Sequence, residues 1–119
     1  MTPESRRSWR CGAKLNLYLR VLPRRADGFH GISSVFVPIS LADTLSVAPD
    51  ADYSLTITSP SRPPIEVPAG SANLVSRAVE ALATHAGVAP RVRVELVKRI
   101  PAAAGLGGGS SDAGGALLA

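Results

Sequence analysis

The sequence predicts an α+β domain, and three observations carry that expectation. Strand-like alternation dominates the first half, with no crossover helices between successive strands. Near residue 73 the apolar spacing switches to a helical period, and close to the C-terminus a glycine-rich segment opens a second helix. The chain has 119 residues, 45% of them hydrophobic, which suits one compact domain with a real core.

The elements follow in order. Residues 1–12 read as a basic tail, frayed over 1–10, and residues 13–119 as the folded domain. From Ala13 the run AKLNLYLRVL alternates strictly, predicting a half-buried strand with Leu15, Leu17, Leu19 and Val21 on one face. Lys14, Asn16, Tyr18 and Arg20 then share the other face, which sets an ammonium beside a carboxamide. Pro23 ends this run and Asp27-Gly28 signals a turn. Residues 32–41 form a second strand, where Pro38 implies an edge or a bulge. Residues 44–47 and 53–58 are separate short strands, and SPSRPP at 59–64 is a surface loop.

Leu74, Val75, Ala78, Val79, Leu82, Ala83 and Ala86 lie on one helical stripe, bounded by Asn73 as N-cap and Gly87 beyond the C-terminus. His85 in the last turn reads as structural. Residues 91–100 alternate again as a strand.

Composition excludes several functions. Cys11 is the only cysteine, so there is no disulfide framework and no cysteine-based zinc cluster; with only His30 and His85 besides, no metal-ligand spacing is visible. No apolar run approaches the ~18–20 residues needed to span a bilayer, and no secretory signal is visible, which predicts a cytoplasmic protein without a membrane partner. The net charge of +4 is concentrated in residues 1–25, which hold seven basic side chains against Glu4. Five aromatic residues are few for base stacking, so the charge points to an anion site or a solvated tail more than to nucleic acid.

The most informative segment is PAAAGLGGGSS at 101–111. Gly105, Gly107, Gly108 and Gly109 let the backbone turn tightly and approach a ligand, and Ser110, Ser111 and Asp112 fall where N-cap and first-turn residues belong. A glycine loop that empties into a helix presents free N–H groups and a positive dipole end, which favours phosphate. It is not a Walker A loop, because Ser110 follows the last glycine directly, nor a dinucleotide fingerprint, because Ser110 occupies the sixth position counted from Gly105.

The string P-x-x-x-G-L-G-G-G-S-S-D-A resembles the second motif of the GHMP kinases. The triple glycine, AKLNLYL at 13–19 and RRADGFH at 24–30 resemble the branch whose substrate is cytidine diphosphate methylerythritol. Asn73-Leu74-Val75 and Lys98-Arg99-Ile100-Pro101 fall in the matching order, so the resemblance runs from residue 13 to 119. It implies the GHMP kinase N-terminal domain, of the ribosomal protein S5 domain 2-like fold: a mixed sheet with helices on one face.

It also implies ATP, with its accompanying Mg2+, as phosphoryl donor and the 2-hydroxyl of a small-molecule cytidine diphosphate sugar alcohol as acceptor. Lys14 matches the active-site lysine and Asn16 a substrate contact. Phe29 stands where relatives carry Tyr, and His30 matches the cytosine contact. Lys98 matches a basic residue near the substrate's diphosphate. Pro101, Ala102, Ala103, Ala104, Gly105, Leu106, Gly107, Gly108, Gly109, Ser110 and Ser111 carry over as the ATP-phosphate loop. No role carries over to Asp112. The family's general base is an aspartate in a later motif than any in these residues, and the sequence reads as a truncated, N-terminal piece with little turnover of its own. Three other readings compete: another GHMP kinase, such as homoserine or mevalonate kinase; a small basic RNA-binding module of similar fold; and a split or inactive nucleotide-binding protein whose partner chain supplies the rest.

Overall fold

The computed structural model describes residues 6–102 and 105–119. Its sheet has four strands: β1 (Arg7–Arg24), β2 (His30–Pro49), β3 (Ser54–Thr58) and β4 (Val92–Val97). Their order is β1-β2-β4-β3, with β3 parallel to β4 and the other pairs antiparallel, so the sheet is mixed. Two helices, α1 (Leu74–Ala86) and α2 (Gly108–Leu118), pack against it. Leu45, Val94 and Leu96 from the strands, Val75 from α1 and Ala116 from α2 form one buried cluster with Cys11. The opposite face is polar, with Arg6 paired to Glu95 at 2.6 Å. Helices therefore cover one face, as expected.

α1 confirms its sequence signals. The Val75 amide donates to the Asn73 side chain at 2.9 Å, and Gly87 takes a left-handed conformation at φ 70°. β3 and the irregular segment at 59–64 also stand close to their expected bounds.

Three expectations need correction. Arg7–Gly12 are not a tail: they pair with β2 from Val47 to Ala42, and Cys11 is buried. The strand continues because its inward residues Trp9, Cys11 and Ala13 have a core to face. Residues 32–41 and 44–47 are one strand: β2 bulges between the partners of Gly12 and Lys14, beside Pro38 as that proline implied, and runs on past Leu41 instead of ending there. Finally, beyond Lys14 the β1–β2 hairpin is not half-buried. Leu15, Leu17, Tyr18, Phe36 and Val37 are all exposed, and a register shift between Asn16 and Tyr18 breaks the strict alternation.

Candidate phosphate-binding site

α2 begins two residues earlier than the serines suggest. Gly107 is its N-cap at φ 71°, and the first helical bond runs from the Ser111 amide to the Gly107 carbonyl at 2.9 Å. Ser110 and Ser111 therefore lie inside the first turn rather than at the cap. The reason is steric: a left-handed cap is inexpensive for glycine and strained for serine. No side chain caps this end, so the amides of Gly108, Gly109 and Ser110 have no helical acceptor. Together with the dipole they make an anion-receptive N-terminus.

Lys14 reaches this loop from β1. Its amide donates to the Leu106 carbonyl at 3.0 Å and its ammonium to the Gly105 carbonyl at 2.8 Å. The ammonium also contacts the Asn16 carboxamide oxygen. Asn16 is held in turn, donating to Ser34 Oγ at 2.9 Å, which donates to the Tyr18 carbonyl at 2.8 Å. A Cβ on Gly107 would lie 3.3 Å from Lys14 Cε, so the missing side chain is what lets loop and lysine meet. Lys14, Asn16 and residues 105–111 thus form one group. Pro101 and Ala102 lead into it from the surface, while Ala103 and Ala104 lie outside the described residues.

Phe29 and His30 are not brought to that group. They sit at the hairpin turn, where His30 Nδ1 lies 3.0 Å from the Leu22 carbonyl oxygen. From Lys14 to Arg24, which pairs with His30, an extended strand runs roughly 30 Å.

Lys98 needs a correction. Expected near a substrate diphosphate, it is instead 2% exposed, with its ammonium 2.6 Å from Asp43 Oδ2 and 2.9 Å from Asp112 Oδ2. Two buried carboxylates turn it inward. The Arg99 and Ile100 amides donate to Asp43 Oδ1 at 2.6 and 2.9 Å. Burial alone would raise the pKa of Asp43, but the adjoining Asp112 carboxyl, the Lys98 ammonium and the two amide donors outweigh it and hold the group below its ordinary value. Burial likewise disfavours the Lys98 ammonium, yet its two carboxylate partners raise its pKa overall. Asp112 goes the other way: burial, then the neighbouring Asp43, push it up to about 7 against the pull of Lys98. Burial also pushes the Cys11 thiol up to about 11, aided by the charges of Asp112 and Asp43.

Asp43 and Asp112 carried no expected role, although a signal existed. In the alternation of 92–100, Lys98 falls on the same face as Val94 and Leu96, and in β2 Asp43 falls on the face of Leu45. The register that pairs Thr44 with Val97 then brings Asp43 opposite Lys98.

The profile of the GHMP kinases N terminal domain matches residues 73–119, which include the whole of α1, β4, the glycine loop and α2. The chain is 44% identical over 110 residues to the 4-diphosphocytidyl-2-C-methyl-D-erythritol kinase of Streptomyces coelicolor, a match spanning 92% of this chain and 36% of that protein. Residues 73–119 thus carry the GHMP kinases N terminal domain. The kinase of the same name from Verminephrobacter eiseniae is 46% identical over 107 residues, spanning 90% of this chain and 34% of that protein. A crystal structure of 4-(cytidine 5'-diphospho)-2C-methyl-D-erythritol kinase superposes with a TM-score of 0.74 at 43% identity, over 94% of this chain and 38% of that one. Homoserine kinase from Cytophaga hutchinsonii shares the fold at TM-score 0.66 and 14% identity, over 100% of this chain and 35% of that one. The chain spans about a third of the length of the curated relatives it matches.

Among the described residues no helix is long and apolar enough to cross a membrane.

Proposed function

We propose that this chain forms the ATP-phosphate-binding part of a kinase that phosphorylates the 2-hydroxyl of 4-diphosphocytidyl-2-C-methyl-D-erythritol, a cytoplasmic step in isoprenoid precursor synthesis. The observation that carries the reading is the meeting of Lys14 with a glycine loop at the uncapped N-terminus of α2. Free amides at Gly108, Gly109 and Ser110 suit phosphate oxygens, and close approach there needs residues without side chains. The Ser110 and Ser111 hydroxyls add donors, or oxygen ligands for the Mg2+ that accompanies ATP.

Lys14 supplies the electrostatics. Its ammonium is anchored to the loop and oriented by Asn16, so it is positioned before the reaction instead of being recruited during it. In that place it stabilises charge building on the transferring phosphoryl group and the attacking oxygen. Asp112 is buried behind the loop and is unsuited to take the proton of an acceptor hydroxyl. The resemblance assigns that step to an aspartate of a later motif than any in residues 1–119.

The choice of acceptor rests on identity: 46% and 44% to kinases named for the cytidine substrate, against 14% to the homoserine kinase structure. In this reading Phe29 and His30 contact the cytosine end, so His30→Ala raises KM for that substrate and leaves KM for ATP unchanged. The test is a phosphoryl-transfer assay of the intact protein with the cytidine compound, mevalonate and homoserine offered in parallel. Turnover of the first alone supports the proposal. Turnover of another acceptor makes it a different GHMP kinase, and steeply salt-dependent RNA binding without ATP affinity replaces it with the binding-module reading.

A further inference from the structure

Both ends of the glycine loop converge on a buried cluster that the proposed chemistry leaves unused. Upstream, Asp43 accepts the Arg99 and Ile100 amides and so fixes the chain as it enters Pro101. Downstream, Asp112 sits one turn into α2. The Lys98 ammonium joins the two carboxylates, and all three side chains are at most 2% exposed. The start of α2 is pressed onto this cluster: a Cβ at Gly108 would lie 2.8 Å from Ile100 Cγ2 and 3.0 Å from Lys98 Nζ.

Stability alone is a poor reason for such a cluster, because well-packed apolar residues commonly do as well in its place. The cluster is also imperfectly satisfied. Asp112 Oδ1 is buried and has no hydrogen-bond partner among the described residues. Two carboxylates share one ammonium, so ionisation of both leaves a net negative charge just behind an anion-receptive helix end.

We propose that Asp43, Lys98 and Asp112 are positioning residues, a buried ionic clamp that holds the entry of the glycine loop and the start of α2 in the arrangement that receives phosphate. The inference rests on the ATP-phosphate reading of that loop. It adds a pH dependence, because Asp112 titrates at about 7. The ionisable groups that face it are Asp43 from β2, Lys98 from the end of β4 and the Cys11 thiol from β1. The start of α1 contributes the neutral Asn73 and Leu74 to the cavity that Asp112 lines. Above neutral pH the added charge opposes phosphate, so ATP affinity falls as pH rises.

Two measurements on the intact protein separate the clamp from the ATP reading. In Lys98→Met, amide exchange at residues 105–111 should quicken about tenfold while the core amides of Leu45 and Val94 hold their rates. If the unpaired carboxylates prevent folding, the double variant Lys98→Met with Asp112→Asn relieves the charge and should show the same loosened loop. The second measurement is the ratio of wild-type KM for ATP to that of Asp112→Asn, in which the nucleotide's own titration cancels. It should rise about tenfold between pH 6 and 8, with kcat nearly unchanged. Loop amides that keep their wild-type rates, or quicken only in step with the core, overturn the clamp. A ratio flat with pH overturns the role of the Asp112 charge. A loosened loop in a protein whose wild type has no ATP affinity sinks the ATP reading while upholding the clamp as a mechanical device.

Discussion

α2 carries two adjacent glycines, Gly114 and Gly115, whose replacement by alanine should have opposite effects. A Cβ on Gly115 would lie 2.6 Å from Cys11 Sγ and 3.5 Å from Leu45 Cδ2, inside the central cluster. Both neighbours are buried, so α2 must shift away from the sheet or the cysteine must leave its place. Overpacking of this kind costs about 1–3 kcal/mol, partly offset by the ~1 kcal/mol that alanine gains over glycine in a helix interior. A Cβ on Gly114 meets nothing within 4 Å, so that substitution keeps the whole helical gain. Cys11→Ala removes the obstructing sulfur and should rescue Gly115→Ala, giving a coupling of about 1–2 kcal/mol in a double-mutant cycle. Native-state hydrogen exchange at Leu45 and Val94 in the intact protein measures all four variants. If Gly115→Ala proved as stabilising as Gly114→Ala, or if Cys11→Ala failed to rescue it, the packing of α2 on β1 described above would be wrong.

Other perturbations test the site and its supports. Lys14→Met should lower kcat by about 10²–10³-fold, the usual cost of losing one preorganised charge donor, as read in the phosphoryl-transfer assay. Asn73→Ala removes the acceptor for the Val75 amide and should cost about 1 kcal/mol, seen as faster amide exchange in the first turn of α1. Asp112 adds a pH dependence to stability. Its folded value of about 7 stands above the ordinary 3.8, so the folded state keeps a proton that the unfolded chain releases, and stability falls as pH rises from about 4 to 7. At ~1.4 kcal/mol per pH unit this penalty reaches ~4 kcal/mol at most, and Asp112→Asn should abolish it in denaturation series at pH 5 and 8. Asp43 works in the opposite sense: its lowered value stabilises the fold above the ordinary carboxylate range and is lost in acid, so the variant should keep an acid transition.

Local chemistry was legible wherever one residue type has one physical use. Asn73 and Gly87 bound α1 because a carboxamide can cap and a glycine can turn left-handed, and neither requirement depends on distant residues. The glycine loop was legible for the same reason. Strand ends were not: Pro38 signalled the bulge, yet nothing local to Leu41 shows that β2 runs on through it because Leu45 and Ala48 still have a core to reach. The Asp43, Lys98 and Asp112 cluster lay beyond local reasoning, since its members are 14 to 57 positions from their partners. Face parity put Asp43 and Lys98 on an apolar side, but only the register of β2 against β4 and the packing of α2 bring them together with Asp112.

The same distinction explains the hairpin. Alternation at 13–22 marks a strand, not whether anything covers its apolar side chains, and Leu17 at 66% exposure shows that here nothing described does. The two halves of β1 have different surroundings on either side of Lys14. Cys11 and Ala13 are locked into the core on one side, while the strand projects with both faces open on the other. The lysine thus stands at the last place along β1 where its backbone is still held by the folded body, through the Leu106 carbonyl, and its half-buried side chain reaches the glycine loop. A group meant to stabilise charge in a transition state needs both conditions, rigid support and access, and few positions along one strand provide them together. That placement argues for Lys14 as the reacting-site ammonium independently of any resemblance. It also explains why Lys98, equally basic but enclosed on the core face, serves the loop from behind instead.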